Sequence, residues 1–286
     1  MRIFILGTGK SGTTALVYKV AGGLPNCEAF SGGEPGKYIG DYENAVYKHT
    51  YEERKGKSFE LYRNHLQHVH YDRKIWMARD PRDAAVSRML YRWHRGYLGS
   101  KKQYQAHLEL VLKKEQDPGS VPFYEICRYT GFNGWPRSVE EVVKEEHIRY
   151  EQMAAFVKSL DSNWILFKYE DMVAMQFVAL NEYLGFEVQA DGEVPKSTGK
   201  AKVVRKKATG DWRHWFTEED INIFKPVFTP YMAVIGYDCD DWNLSPNPVI
   251  EAEYSSIYMQ NLPRRRPLDS IRWFKDTVIR PLIKRG

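Results

Sequence analysis

A glycine-rich segment near the amino terminus, Gly7-Thr-Gly-Lys-Ser-Gly-Thr-Thr14, contains the residue types that bind anions. It follows the mostly apolar run Arg2–Leu6 and precedes Ala15-Leu-Val17, a pattern that predicts a buried strand, a turn and a helix. A turn in this position directs backbone N–H groups outward at the positive end of the helix dipole, and Lys10 adds a cation. The segment therefore predicts an anion site, usually one for phosphate.

Three known loop types compete for this segment. Glycines at positions 7, 9 and 12 give G-x-G-x-x-G, but a dinucleotide fingerprint also needs a second strand ending in an acid about twenty residues on. Glu28 stands near that distance, and the Leu24-Pro-Asn-Cys27 before it does not predict a strand. A P-loop needs a glycine where this chain has Phe4. The third type is a loop centred on Lys10–Thr14.

A second segment with a strand-to-helix pattern begins at residue 74. Lys74-Ile-Trp-Met-Ala78 predicts a strand, and it runs directly into Arg79-Asp-Pro-Arg-Asp-Ala-Ala-Val-Ser87. Pro81 suits the first turn of a helix, and Asp80 is a favourable cap before it. Arg79 therefore stands at the predicted end of a strand, although a surface ion pair with Asp80 would also explain it.

Three segments resemble the nucleotide-binding motifs of sulfotransferases that use 3′-phosphoadenosine 5′-phosphosulfate (PAPS). Lys10-Ser-Gly-Thr-Thr14 is similar to their 5′-phosphosulfate loop. Arg79–Ser87 resembles their 3′-phosphate motif, in which the first arginine and the final serine hold the phosphate. Arg205-Lys-Lys-Ala-Thr-Gly-Asp-Trp-Arg-His-Trp-Phe-Thr217 resembles the region that closes over the nucleotide, with Lys207 in place of the usual glycine.

The resemblance implies a sulfotransferase that needs no metal and releases 3′-phosphoadenosine 5′-phosphate (PAP). Its sulfuryl group would pass to a hydroxyl or an amine of an acceptor that the sequence does not identify, a small molecule or a carbohydrate. Tyr169 begins a Tyr-Glu-Asp whose tyrosine contacts adenine in the family. The nucleotide-binding residues implied are Lys10, Ser11, Gly12, Thr13, Thr14, Arg79, Ser87, Tyr169, Arg205, Lys206 and Lys207.

The catalytic residues implied are Lys10, which would stabilise the leaving phosphate, and one of two general bases. The cytosolic branch of the family has Lys-Thr-His-Leu before the 3′-phosphate motif, and Arg63-Asn-His-Leu66 makes His65 the first candidate. The tyrosyl-protein and glycosaminoglycan branches use a glutamate after the first helix, a position that Glu34 matches. Ala15 also resembles those branches, because the cytosolic enzymes have a tryptophan there.

The composition is that of a soluble globular protein. The 286 residues are 43% hydrophobic and 28% charged, and the chain has no apolar run of membrane-spanning length. The chain enters a strand at once, so we expect neither a membrane span nor a signal peptide. Three widely spaced cysteines indicate free thiols in a reducing compartment, and hence a cytoplasmic protein.

The positive charge is concentrated at the carboxyl end. Residues 264–286 carry a net charge of +6, from eight basic and two acidic residues, whereas the whole chain carries +5. The rest of the chain is therefore close to neutral, which argues against a nucleic-acid-binding domain. The tail predicts a basic amphipathic helix, suited to an anionic membrane surface, to its own domain or to a partner subunit in a homodimer.

These patterns predict an α/β protein with one P-loop-like domain, a mainly parallel central sheet and flanking helices. The domain would span residues 1–262, with acceptor-pocket helices at about 96–160 and a basic tail at 263–286. The predicted helices cover Thr13–Val20, 41–54, 101–115 and 139–160, and the predicted strands cover 2–6, 58–65, 74–78 and 163–169. A P-loop-type nucleotide kinase and a non-catalytic nucleotide-binding protein are the alternatives to a sulfotransferase.

Overall fold

The structure is a computed structural model that describes residues 1–31, 42–51, 58–94, 101–131, 136–195 and 209–264. Within them, five strands form one sheet: β1 (Arg2–Thr8), β2 (Cys27–Phe30), β3 (Asn44–Tyr51), β4 (Arg73–Ala78) and β5 (Trp164–Lys168). The strand order is β2-β3-β1-β4-β5, and every neighbouring pair is parallel. The predicted α/β class with a parallel central sheet is thereby confirmed.

The central strand is β1, as its apolar sequence predicts. It pairs with β3 on one side and β4 on the other, and Ile3, Phe4, Ile5 and Leu6 are completely buried. A strand with neighbours on both edges and helices on both faces has no polar side, so a continuous apolar run suits it. Its carboxyl end at Thr8 leads directly into the glycine-rich segment.

The described helices are α1 (Thr13–Gly22), α2 (Ser58–His68), α3 (Pro81–Tyr91), α4 (Lys101–Gln116), α5 (Phe123–Arg128), α6 (Val139–Lys158), α7 (Tyr169–Val173), α8 (Val178–Leu184), α9 (Trp212–Trp215), α10 (Glu218–Val234) and α11 (Ser256–Arg264). A short 3₁₀-helix, Ala252–Tyr254, precedes α11. The helices predicted at Thr13, at 101–115 and at 139–160 are confirmed. The predicted boundary between residues 262 and 263 falls within α11 and stays a prediction.

Two predicted elements are wrong. The helix expected over 41–54 is the strand β3, whose residues alternate between two buried faces of the sheet. The strand expected over 58–65 is the helix α2, which buries Ser58, Tyr62 and His65 at helical spacing. Both errors arise because these segments are polar overall. Their buried faces are formed largely by Tyr and His side chains, which do not give the usual apolar pattern.

Glu28 lies in the strand β2, although the segment Leu24–Cys27 before it was not expected to form a strand. Strand β2 contains Glu28 but pairs only with β3 at the edge of the sheet. In the dinucleotide-binding fold, the acid ends the strand next to the first one. The strand order therefore still excludes a dinucleotide fingerprint at this segment.

The two faces of the sheet carry different helices. Helix α1 packs on one face, where Leu16, Val17 and Val20 join the core around Ile3 and Ile5. On the other face, Tyr62 of α2 stacks on Tyr51 at 5.7 Å between ring centroids, and Phe156 of α6 lies 5.0 Å from the same ring. The connection from β1 to β2 runs one way along the sheet, and the connection from β3 to β4 runs the other way. Because such connections are right-handed, their helices α1 and α2 lie on opposite faces.

The chain divides into two compact units. The first comprises the described residues of Met1–Ala84, Glu146–Thr209 and Pro226–Asp241, and contains the whole sheet. The second comprises those of Ala85–Glu145, Gly210–Lys225 and Trp242–Gly286, and its described elements are helical. None of the helices in the described ranges is both long and apolar enough to cross a membrane.

Candidate functional site

The strand order identifies one edge of the sheet as the place for a ligand. From β1 the chain crosses towards β2, and from β4 it crosses the opposite way towards β5. In open parallel sheets, ligands bind beyond the carboxyl ends of two neighbouring strands whose connections diverge in this way. The carboxyl ends of β1 and β4 carry Thr8 and Ala78, so the glycine-rich segment and Arg79 both lie at this point.

The glycine-rich segment forms a tight turn between β1 and α1. The Ser11 hydroxyl donates to the Thr8 carbonyl at 2.8 Å, and the Ser11 amide donates to the same carbonyl at 3.2 Å. Lys10 and Gly12 both adopt left-handed backbone angles, with φ of 78° and 89°. Gly12 caps α1 through its carbonyl, and as a glycine it offers no side chain to the N–H groups of the first turn. Those N–H groups suit an anion.

Arg79 contacts this loop directly. Its Nη1 donates to the carbonyl oxygen of Lys10 at 2.8 Å. Its guanidinium also lies over the ring of Tyr169, 4.3 Å from the ring centroid, which is a favourable cation–π distance. The buried Nε of Arg79 has no hydrogen-bond partner within the part of the chain that the structure describes. The three predicted nucleotide-binding residues Lys10, Arg79 and Tyr169 are thus brought together.

Comparisons with models of protein families, with curated proteins and with solved structures give no match to this chain. What it binds therefore has to follow from its own motifs and contacts.

Glu170, next to Tyr169, holds the turn that contains Arg79. Its carboxylate accepts from the Asp80 amide at 3.3 Å and from the hydroxyl of Tyr237. Burial raises the pKa of the Glu170 carboxyl, and these hydrogen bonds oppose that rise. Asp80 caps α3 as predicted, because its Oδ1 accepts from the Arg82 amide at 2.9 Å. Its carboxylate also pairs with the Arg82 side chain at 2.7 Å.

The predicted base His65 lies away from Lys10 and Arg79. It belongs to α2, and its Nε2 is 2.9 Å from the hydroxyl of Tyr71, just before β4. Its ring is 5.6 Å from that of Phe4, which is four residues, or about 13 Å of strand, before Thr8. Burial lowers the pKa of His65. These surroundings are those of a core histidine, and they do not favour the predicted catalytic role.

The remaining predicted site residues fall in two groups. Ser87 lies in α3, in the part of the helix that belongs to the second unit, and it is half-buried. The other group comprises Glu34, Arg205, Lys206 and Lys207, which lie outside the described residues. Their roles stay predictions. Among the residues that are described, no group of three or more His, Cys, Asp or Glu side chains is arranged to hold a metal ion.

Two site residues were missed by sequence reasoning, Glu170 and Tyr237. Glu170 had a signal, because it directly follows Tyr169 at the end of a predicted strand. Tyr237 had none, since it follows α10, and nothing in the sequence links that position to the end of β5. The contact depends on the tertiary fold.

Proposed function

We propose that this protein is a sulfotransferase that moves a sulfuryl group from PAPS to a hydroxyl or amine of an acceptor. The main support for the proposal is that Arg79 contacts both Lys10 and Tyr169 near the carboxyl ends of β1 and β4, the two neighbouring strands whose connections run in opposite directions. Each residue comes from a different motif that resembles the family, and the three motifs are far apart in the chain. Their convergence supports a common ligand with more than one anionic group.

In this proposal the loop holds the phosphate that leaves. The bond between the sulfur and the bridging phosphate oxygen breaks, the bond between sulfur and the acceptor oxygen or nitrogen forms, and a base takes the acceptor proton. The Lys10 ammonium and the N–H groups at the start of α1 stabilise the negative charge that develops on the phosphate. The resemblance assigns the 3′-phosphate to Arg79, Ser87, Arg205, Lys206 and Lys207.

Of the two candidate bases, we assign the role to Glu34. His65 is buried among aromatic rings, and its Nε2 is hydrogen-bonded to Tyr71. A general base has to come within about 3 Å of the proton that it removes, directly or through one water. The core surroundings of His65, beside Phe4 and Tyr71, argue against that role, and Glu34 takes it through the resemblance alone.

The nucleotide specificity provides the first test. Calorimetry should show that PAP binds more tightly than AMP, because only PAP carries the 3′-phosphate. Labelled PAPS with a panel of phenols, sugars and amines should then yield a labelled acceptor. Equal affinity for PAP and AMP would overturn the proposal. Transfer of phosphate from ATP, dependent on magnesium, would replace it with a nucleotide kinase, and PAP binding without turnover would leave a nucleotide-binding protein.

The catalytic assignments are tested by single-turnover transfer. Lys10→Met should lower the rate by about 10²–10³, the usual effect of removing one charge-stabilising donor. Glu34→Gln should lower the rate by a factor of about 10² or more while leaving PAP affinity unchanged. His65→Gln serves as the matched control and should stay near the rate of the unmodified protein. A large loss in His65→Gln together with a normal rate in Glu34→Gln would reverse the assignment.

A further inference from the structure

The contacts of Arg79 point to a role that lies beyond the 3′-phosphate. We propose that Arg79 is a positioning residue of the 5′-phosphate loop: held by Tyr169, its guanidinium fixes the Lys10 carbonyl and so the turn that presents the loop to a 5′-phosphate. This inference rests on the proposed function, because it assumes that the loop binds the 5′ end of a nucleotide.

The loop needs such a support because Lys10 has an unfavourable backbone conformation. Its φ is 78°, in the left-handed region that residues with a side chain rarely adopt. A residue in this region stays there only when its surroundings hold it. The hydrogen bond from Arg79 Nη1 to the Lys10 carbonyl, 2.8 Å long, acts on the peptide that follows this torsion angle. A charged donor makes that bond stronger than a neutral one would.

Arg79 and the residue after it are held by the two residues that follow β5. The Tyr169 ring lies under the guanidinium, and the neighbouring Glu170 carboxylate accepts from the amide that follows Arg79. The hydroxyl of Tyr237 donates to that carboxylate in turn. Two consecutive residues after β5 therefore contact two consecutive residues after β4. This pairing supports the direction in which the Arg79 side chain reaches Lys10.

Tyr169 also contacts the loop without an intermediary. A Cβ atom on Gly12 would stand 2.5 Å from Cδ2 of the Tyr169 ring, so only a glycine allows the ring to pack this closely. One ring thus lies against Gly12 and beneath Arg79, which in turn bonds to Lys10. The resemblance implies an adenine contact for Tyr169, whereas this geometry assigns the ring to the support of the phosphate loop.

A contact with the 3′-phosphate and a positioning role for Arg79 predict different effects on the binding of PAP and AMP. If Arg79 only contacted the 3′-phosphate, Arg79→Gln would weaken the binding of PAP and leave AMP unaffected. If it positions the 5′-phosphate loop, Arg79→Gln weakens both nucleotides, and we expect a loss of about tenfold or more for AMP. Ser87→Ala is the matched control, because the resemblance gives Ser87 a 3′-phosphate contact alone, so it should affect PAP only.

Tyr169 variants test the same support from the other side. Tyr169→Leu removes the ring beneath the guanidinium and should weaken AMP binding as Arg79→Gln does. Tyr169→Phe keeps the ring and should restore AMP affinity to within about threefold of the unmodified protein, since the cation–π contact needs no hydroxyl. Equal losses in Tyr169→Leu and Tyr169→Phe would contradict a role for the ring.

Hydrogen exchange without nucleotide gives a readout that does not depend on the proposed function. The amides of residues 10–12 should exchange faster in Arg79→Gln and Tyr169→Leu than in the unmodified protein, while amides of β1 keep their protection. Unchanged exchange together with unchanged AMP affinity in Arg79→Gln would overturn the inference. If PAP and AMP bind equally well to the unmodified protein but loop exchange still rises in Arg79→Gln, the proposed function fails and the positioning role stands.

Discussion

Two glycines of the loop segment, Gly7 and Gly9, have very different surroundings. A Cβ atom on Gly7 would stand 2.6 Å from the Met77 carbonyl oxygen and 2.8 Å from the Ser11 hydroxyl oxygen. A Cβ on Gly9 would meet only a methyl group of Thr50, at 3.9 Å. Gly7 therefore allows the close approach of β1, β4 and the turn, whereas the space beside Gly9 is open.

This difference predicts opposite outcomes for two alanine substitutions. Gly7→Ala should lower the free energy of unfolding by about 2 kcal/mol, because backbone atoms have to shift to admit the methyl group. Gly9→Ala should change it by less than about 0.5 kcal/mol, as at an unconstrained position. Urea unfolding of the two variants beside the unmodified protein measures both. Similar stabilities of Gly7→Ala and Gly9→Ala would show that the approach to Met77 does not constrain the loop.

The sequence predicted where Lys10, Arg79 and Tyr169 stand in their elements, but not that they touch. Each comes within a few residues of a short, mostly apolar run, so its place near the end of a strand could be predicted from the local sequence. Contact depends on which strands are neighbours, and β1 lies beside β4 through pairings of residues about seventy positions apart. Local patterns carry no signal for such pairing. The burial of His65 was hidden for the same reason, because its partners Phe4 and Tyr71 lie outside α2.

At the scale of elements, a polar sequence can conceal a buried face. The strand β3 was predicted as a helix and the helix α2 as a strand. β3 reads Asn-Ala-Val-Tyr-Lys-His-Thr-Tyr, in which Tyr47, His49 and Tyr51 alternate towards one face. α2 places Tyr62 and His65 against that face, with ring centroids of His49 and His65 5.3 Å apart. Aromatic and histidine side chains form this interface, so a search for aliphatic periodicity missed both elements.

One carboxylate joins the starts of two helices in the second unit. Asp220, in the first turn of α10, is completely buried. It accepts from the amides of Phe123 and Tyr124 at the start of α5, at 2.7 and 2.8 Å. It also accepts from the Thr217 amide at 2.8 Å and from the Thr217 hydroxyl at 2.9 Å. A single side chain therefore satisfies the first N–H groups of both helices.

Removing this carboxylate should be strongly destabilising. Asp220→Ala leaves three backbone N–H groups without an acceptor, each costing about 1–3 kcal/mol, so we expect a loss of about 3 kcal/mol or more in the free energy of unfolding. Thermal and urea unfolding measure the change. Glu218→Gln, at an exposed position in the same first turn, is the control and should change stability by less than about 0.5 kcal/mol. A loss below about 1 kcal/mol for Asp220→Ala would refute the capping role.

At the scale of the whole molecule, buried histidines in both units link stability to pH. Burial lowers the pKa of His49 to about 4 and that of His107 to about 3. The charge that His65 gains on protonation and the charge of Lys48 lower the pKa of His49 further, and the charge of Arg92 lowers that of His107. His107 is completely buried and accepts from the indole N–H of Trp93 at 2.8 Å. Both imidazoles are therefore neutral in the folded protein at neutral pH.

The sign of the effect follows from the direction of these shifts. An unfolded histidine takes up a proton near pH 6.5, whereas the folded chain resists protonation until about pH 4 or below. Stability is therefore present above pH 6.5 and is lost as the pH falls towards 4. Each such histidine contributes about 1.4 kcal/mol per pH unit in this window. Glu170 and Asp220, whose pKa values are raised by burial, act in the opposite direction over part of it.

A variant of His49 separates the contribution of this histidine to the pH dependence of stability from that of the opposing carboxyl groups. Urea unfolding at pH 7 and pH 5 should show that His49→Phe loses about 2 kcal/mol less stability over this interval than the unmodified protein, since phenylalanine fills the space beside Phe4 without taking up a proton. His68→Gln, at an exposed position of α2, should keep the full pH dependence. The comparison uses differences between pH values, so any packing change in His49→Phe cancels. If His49→Phe and the unmodified protein lose stability equally, the charge of His49 does not limit folding at acid pH, and its burial would then have to be relieved by entry of water.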